Sequence, residues 1–482
     1  MGPFEAALLT VAGILFLLIA VVLCRTATFL PKKSAKSKGE RVEFDRHAAV
    51  ERLRALVRCK TVSYHDHEKE DEAEFEKLID SLSTLYPNVC RTCTLTRMAG
   101  RALLFRWEGK GEGEPTVLMA HYDVVPANEE LWEKPPFEAI LENGMVFGRG
   151  TLDTKATVNG ILSAAEHLIE NGFVPEADIY FAFSGGEEIG GPGAPHIVDY
   201  FEREGITPAL VLDEGGAVVE GVFPGVKQPC GLIGIAEKGM MNLSYTVHSN
   251  GGHASSPKPH TPVGILSAAC CRVENHPFPA HLTPPVREMF DTLGRHSSFL
   301  YRMIFANLWL FSPILDRICR KSGGELNALL RTTVAFTQMQ GSAAPNVIPP
   351  KAGMVSNMRL NPADTVQGAL DRIRRTISDG QVEVSLIQGD EPSRISRTDC
   401  PAWDKVAGAV SETWQGAIVS PYLMVQCSDS RHWGRISDRV YRFSAMDLSA
   451  EERATIHGNN ERIRVDAACR AVEFYIRLMK TC

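Results

Sequence analysis

The stretch "SGGEEIGG", Ser184 to Gly191, sets two adjacent carboxylates among glycines directly after the apolar run "ADIYFAF". Like charges repel, and glycine loses more backbone freedom on folding than any other residue, so such a turn is costly unless something uses both glutamates. Four other short stretches carry side chains of a matching kind. His121 and Asp123 stand in "AHYDVVP", Asp153 in "GRGTLDTK", Asp213 in "VLDEGG" and, far along the chain, His457 in "IHGNNE". Two histidines with three or more carboxylates form the donor set expected of a zinc pair that shares a bridging carboxylate. In that setting one glutamate can bind metal while its neighbour, Glu187 or Glu188, carries a proton, and the cations offset the crowding. Asp123 fits beside His121, where it can accept the second ring N–H and fix the tautomer. Each stretch also has a plain structural use: Asp153 as a helix N-cap, Asp213 and His457 as turn residues, the glutamate pair as solvated surface. The occurrence of the whole set at strand ends and glycine turns favours the metal site.

An alternation of strands and helices is what must position these residues. "HAAVERLRALVRC" has helical spacing, "PTVLMAHYDVVP" reads as a buried strand with a polar end, and "TKATVNGILSAAEHLIENG" as a long amphipathic helix stopped by Gly172. The strands "ADIYFAF" and "PALVLDEGG" follow, with a helix near Pro195 to Glu204 between them. This order predicts an α/β fold built on a mostly parallel sheet, whose ligands gather beyond the carboxyl ends of the strands. After Glu237 the texture changes. "MNLSYTVHS" and "MVSNMRLNP" alternate like half-exposed antiparallel strands around the helical "HTPVGILSAACCRVEN". The expected organisation is an anchor and basic linker over 1–40, a catalytic domain in two parts, 41–233 and 363–482, and an inserted α+β lid or dimerisation domain over 234–362. Within the insert "FLYRMIFANLWLFSPIL", Phe299 to Leu315, is strongly apolar but broken by Arg302 and Pro313, which suits buried helices or an apolar lid surface better than a second membrane span.

The chain has 482 residues and a net charge of −7, and no segment concentrates enough Lys and Arg to neutralise nucleic-acid phosphates. Its twelve cysteines are scattered and define no disulfide framework. "AALLTVAGILFLLIAVVLC", residues 6–24, is long enough to cross a bilayer, and basic residues follow it rather than precede it. That pattern predicts an uncleaved single-pass anchor. The positive-inside rule would put the body in the cytoplasm, while a cleaved or inverted segment would put it on the lumenal or secreted side.

With these residues in view, the chain resembles the dinuclear zinc aminoacylase/carboxypeptidase family, in particular its carboxypeptidase S branch, which also contains the N-fatty-acyl-amino-acid synthase/hydrolase. The resemblance rests on "LMAHYDVVPA", "LWEKPPFEAILENGMVFGRGTLDTK", "GGEEIGGPGA", "LVLDEGG", "EKGMMNL", "NVIPP", "SDSRHW" and "IHGNNE", in order from about residue 45 onward. It implies two zinc ions, with cobalt or manganese compatible with the same donors. His121, Asp153 and Asp213 would hold one, and Asp153, Glu188 and His457 the other, Asp153 bridging. Glu187 would be the general base and Asp123 the partner of His121. His253, in "GGHASSP", matches the family histidine that steadies the oxyanion, often from a neighbouring subunit of a lid-mediated homodimer. Asn346 and Arg359 match substrate contacts, Arg359 being suited to a carboxylate. Departures are few: Thr154 after the bridging aspartate, and Cys427 and Ser428 at the start of "SDSRHW". The implied activity is a metallopeptidase cutting the amide bond next to a carboxylate-bearing amino acid, a carboxypeptidase on short peptides or, alternatively, an N-acyl-amino-acid hydrolase/synthase. Retention of Glu187 and of every ligand argues against a catalytically dead binding module.

Overall fold

Apolar runs too short for helices form fully buried strands in the computed structural model, among them Thr116–His121 and Ile179–Ser184. The structure describes residues 2–32, 39 and 41–482, so the expected basic linker lies mostly outside the described residues. The central sheet has eight strands. Its middle is parallel: Ile179–Ser184, Thr116–His121, Leu210–Val219 and Val440–Leu448 run side by side. Antiparallel strands Thr94–Met98 and Ala102–Trp107 close one edge, while Cys230–Glu237 and Ile418–Met424 form a parallel pair at the other. The parallel strands put their carboxyl ends on one rim, which is where a site is expected in such sheets.

Helix Lys155–Glu170 is buried along nearly its whole length and crosses the helix Val465–Met479. The crossing is close because Gly160 faces Tyr475: a Cβ there would lie 3.1 Å from the tyrosine ring. Residues 155–170 and 465–479 are thus packed as one layer although they stand at opposite ends of the catalytic sequence.

A second sheet has the order Thr333–Gln340, Lys351–Leu360, Gly239–His248, Glu383–Asp390, all antiparallel. Buried and half-buried residues alternate along Gly239–His248 and Lys351–Leu360, and the buried face packs on helices Pro262–Asn275 and Val366–Ile377. The sheet therefore takes a strand and a helix from beyond residue 362, the expected end of the insert. Conversely, helix Pro284–His296 and the helices after it, up to Leu330, join the hydrophobic core that holds Val50, Leu53, Leu232 and Leu423 of the catalytic body. Helix amphipathicity says that one face is buried and is silent about which core receives it.

The apolar stretch Phe299–Leu315 is not one element. It belongs to helices Phe299–Ala306 and Leu308–Ser322, with Phe305 packed against Phe223 and Phe290. The N-terminal helix Pro3–Thr28 is long and apolar enough to cross a membrane, and most of it is exposed.

Candidate active site

The glutamate turn leaves the sheet after Ser184 and is tight at its two outer glycines, Gly185 and Gly191. A Cβ on Gly185 would lie 2.6 Å from the Tyr122 ring, and Gly190 takes a left-handed φ of 68°. The Gly191 N–H donates to the Gly186 carbonyl at 2.7 Å and closes the loop. Asp123, wholly buried, holds the turn from beneath: its two carboxylate oxygens accept the main-chain N–H groups of Glu187 at 3.1 Å and Glu188 at 3.2 Å. The same carboxylate lies 3.4 Å from His121 Nδ1, which donates to the Asp123 main-chain carbonyl at 3.0 Å. That bond puts the ring proton on Nδ1 and leaves Nε2 facing the cleft.

Asp153 stands between the two histidines. One oxygen is 2.9 Å from His121 Nε2 and the other 3.0 Å from His457 Nε2, which is also 3.0 Å from Glu188. A carboxylate whose two oxygens face different histidines has the disposition of a bridging ligand. A buried brace fixes both partners. Arg149 pairs with Glu461 at 2.6 Å and donates to the Gly458 carbonyl at 2.9 Å, while Glu461 accepts the N–H of Leu152 at 2.7 Å. The loop before Asp153 and the loop of His457 are thereby joined across 308 positions of sequence.

His121, Asp153 and Glu188 can bring one donor atom each to within 4.8 Å of one another, and so can His121, Glu187 and Glu214. Asp213, the expected ligand, belongs to neither group. Successive residues of a strand point to opposite sides, and in Leu210–Val219 it is Glu214 that points to His121, 3.4 Å from Nε2. Asp213 is turned away and accepts the Ser430 N–H at 2.9 Å. The reading from sequence also missed Asp429, buried beside the site and accepting from the Ser184 hydroxyl at 2.5 Å.

The residues expected to act from the inserted domain are elsewhere. Gly252–His253 pairs with Val347–Ile348 in a two-stranded ribbon, where His253 and the adjacent Asn346 are exposed. Nδ1 of His253 accepts from the Ser255 N–H, and among the described residues no hydrogen bond or ion pair connects it to the carboxylates. Arg359 is nearer, on strand Lys351–Leu360, with Nη1 3.2 Å from Cys427 Sγ, two residues from Asp429.

So many carboxylates in one buried place cannot all ionise freely. Burial, joined by the charges of Glu214, Asp429 and Glu188, pushes Glu187 well above the ordinary carboxylate range. Burial together with Asp153 and Asp213 pushes Glu214 up to about 8, and burial with Asp213 pushes Asp429 up to about 7. Hydrogen bonds donated to Asp153 and Glu188 push His457 up to about 10. Glu188 Oε1 is buried with no hydrogen-bond partner. An orphaned oxygen amid crowded negative charge fits a divalent cation, which would satisfy the one and neutralise the other.

Beyond the carboxyl ends of the parallel strands the fold gathers two histidines and a cluster of carboxylates, the donor set of a metal-dependent hydrolase. The profile of peptidase family M20/M25/M40 matches residues 117–481, and the chain belongs to that family. It is 38% identical over 97% of its length to the N-fatty-acyl-amino acid synthase/hydrolase PM20D1 of Xenopus tropicalis, covering 93% of that protein. It is 34% identical over 89% of its length to the probable carboxypeptidase S-like 2 of Dictyostelium discoideum, covering 84% of it. The fold is similar to that of the M20 family metallo-carboxypeptidase Sso-CP2 from Sulfolobus solfataricus, with a TM-score of 0.67, 16% identity, and coverage of 90% of this chain and 98% of the other.

Proposed function

We propose that the protein is a two-zinc hydrolase that cleaves the amide bond joining an acyl group to an amino acid with a free carboxylate. The observation that carries this reading is Glu187, a half-buried carboxyl with a raised pKa, placed beside the donors Glu188, Glu214 and His121. His121, Asp153 and Glu214 would hold one zinc, and Asp153, Glu188 and His457 the other. Bound metal supplies Lewis acidity to the scissile carbonyl and to a water molecule. Glu187 takes the proton of the attacking water and passes it to the leaving amine. Asp123 keeps Glu187 and Glu188 in register through their N–H groups. Arg359 binds the substrate carboxylate, for which its planar fork is suited, and Asn346 contacts the substrate. His253 donates to the developing oxyanion. Its exposure on the lid ribbon suits delivery from a second copy, so a lid-mediated homodimer is part of the proposal.

For the acyl side, a short peptide makes the enzyme a carboxypeptidase. A long-chain fatty acyl group is the second reading, favoured by the 38% identity to an N-fatty-acyl-amino acid synthase/hydrolase over nearly the whole chain. The N-terminal helix would anchor either enzyme in a membrane. Release of free amino acid from a matched panel of dipeptides and N-acyl amino acids, by the zinc-loaded full chain, separates the two. Cleavage of neither class with zinc bound would refute the reaction.

The zinc assignment has its own test. Glu214→Ala should lose one of two bound metals, whereas Asp213→Asn should keep both; the reverse result returns the ligand role to Asp213.

A further inference from the structure

Beside the N-terminal helix, two helices of the body expose an apolar face that no element covers among the described residues. Helix Phe299–Ala306 buries Phe305, and helix Leu308–Ser322 buries Cys319. Their outer sides expose Phe299, Leu300, Tyr301, Trp309, Ile314 and Ile318, between 43% and 68% each. Isolated exposed apolar residues are ordinary; six of them, three aromatic, on two consecutive helices are a patch that calls for a partner.

The N-terminal helix fixes where that patch sits. Its exposed apolar part runs from Phe4 to Leu23, but Val22 and Thr26 are buried against the body. Arg25 donates to the Ala306 carbonyl at 3.0 and 3.2 Å, and Asn307 donates to the Val22 carbonyl at 3.3 Å. Just beyond, Arg295 lies over the Phe29 ring at 4.3 Å and donates to the Leu30 carbonyl at 3.1 Å. The helix therefore leaves the body at Ala306–Asn307, the corner between the two exposed helices, and Trp309 is two residues away. The second helix is graded along its length. Its first part, "LWLFSPIL", has no charge, while its last part, "DRICRKS", has Arg317, Arg320 and Lys321 exposed. Asp316 is tied to Arg331, whereas none of those three cations is paired with a carboxylate among the described residues.

We propose that this helical corner is a membrane platform: the apolar side chains enter the boundary between headgroups and acyl chains, and Arg317, Arg320 and Lys321 meet the phosphates of anionic lipids. The partner is a bilayer because the patch is continuous with a helix apolar and long enough to span one, and because its charge is complementary to an anionic surface. The inference rests on reading the N-terminal helix as an anchor. Its consequence is orientation. A single spanning helix on a flexible joint leaves a body free to swing, whereas a spanning helix joined to an interfacial one holds it with one face to the membrane.

Trp309 is a clean probe, since the other five of the six tryptophans are not exposed. The full chain is reconstituted into phosphatidylcholine–phosphatidylserine vesicles carrying brominated acyl chains, floated, and read by tryptophan emission beside Trp309→Phe. The expected result is strong quenching of the wild type and loss of that quenching in Trp309→Phe. A triple variant, Arg317→Glu, Arg320→Glu and Lys321→Glu, should lose the gain in quenching that phosphatidylserine gives over pure phosphatidylcholine. Equal emission loss in wild type and Trp309→Phe, with both floating, overturns the platform and leaves the anchor standing. Failure to float overturns both. If Trp309 is shielded from aqueous iodide but not quenched by bromolipid, and crosslinking gives dimers, the patch is an interface with a second copy and the proposal falls. Hydrolysis measured in parallel separates failure of the proposed reaction from failure of the platform.

Discussion

The glutamate turn and the lid ribbon carry equally polar chemistry and are built in opposite ways. In the turn, Glu187 and Glu188 are held by their N–H groups on a buried aspartate, in a loop closed by the Gly191 N–H on the Gly186 carbonyl. In the ribbon, His253 and Asn346 stand exposed on a pairing of two residues with two, Gly252–His253 on Val347–Ile348. The difference teaches where preorganisation resides. On the proposed roles, groups that would sit beside a cation are locked before substrate arrives, and groups that would act on the substrate are left where they can be brought to it.

That contrast can be broken at either end. The largest effect is expected from the turn: Glu187→Gln should lower kcat by about 10²–10⁴-fold, the usual worth of a positioned acid–base group, while bound metal measured by elemental analysis stays unchanged. Loss of metal in that variant would mean that the two glutamates exchange roles. At the ribbon, His253→Ala should lower kcat by about 10²-fold or more with KM and metal content little altered, as for removal of one oxyanion donor. Mixing His253→Ala with Glu187→Gln subunits should restore part of the activity if the histidine acts across a dimer, and none if it acts within its own chain.

The Arg149–Glu461 brace between the loops of Asp153 and His457 gives a smaller effect of a different kind. Glu461→Gln keeps the shape but removes the charge facing Arg149, and should weaken metal binding about 10–100-fold, the usual cost of disturbing groups that orient ligands. A competition titration with a chelator measures it; unchanged affinity would reduce the brace to packing.

The smallest effect concerns pH in the metal-free protein. Glu214 is raised from its ordinary 4.5 to about 8, so above 4.5 the unfolded chain releases a proton that the folded chain keeps, and the resulting destabilisation grows until about pH 8. His457 is raised from 6.5 to about 10, and the stability it contributes is complete below 6.5 and lost as pH rises through 10. Both slopes have the same sign. The chelated protein should melt at lower temperature as pH rises from 6.5 towards 8, and zinc should flatten the dependence; a rise of melting temperature with pH would contradict the cluster.

The parts of this site legible in the sequence were those marked by local contrast. A polar residue ending an apolar run, as at His121, or a glutamate pair between glycines, announces itself because local structure alone gives it no purpose. The choice between Asp213 and Glu214 was not of that kind: both are adjacent residues of one strand, and only its placement against its neighbours decides which faces His121. Asp429 was hidden for a related reason: it stands in the motif "SDSRHW", but its partner Ser184 is 245 positions away and only the folded chain brings the two together. The sheet and its order of helices were readable from periodicity. The allocation of helices Pro284–His296 to Gly324–Leu330 to the body rather than the lid was not, because an amphipathic face fits either core.

The Arg149–Glu461 brace and the crossing of helices 155–170 and 465–479 also set the timetable of synthesis. The strands that bear His121 and the glutamate turn leave the ribosome when nearly three hundred residues are still to come, and until the last of them emerge Arg149 has no counter-charge, helix 155–170 no cover and Asp153 no second histidine. A nascent chain is thus an unfinished core with an incomplete donor cluster, and a chain ending before His457 would lack Glu461 and the helix Val465–Met479 as well.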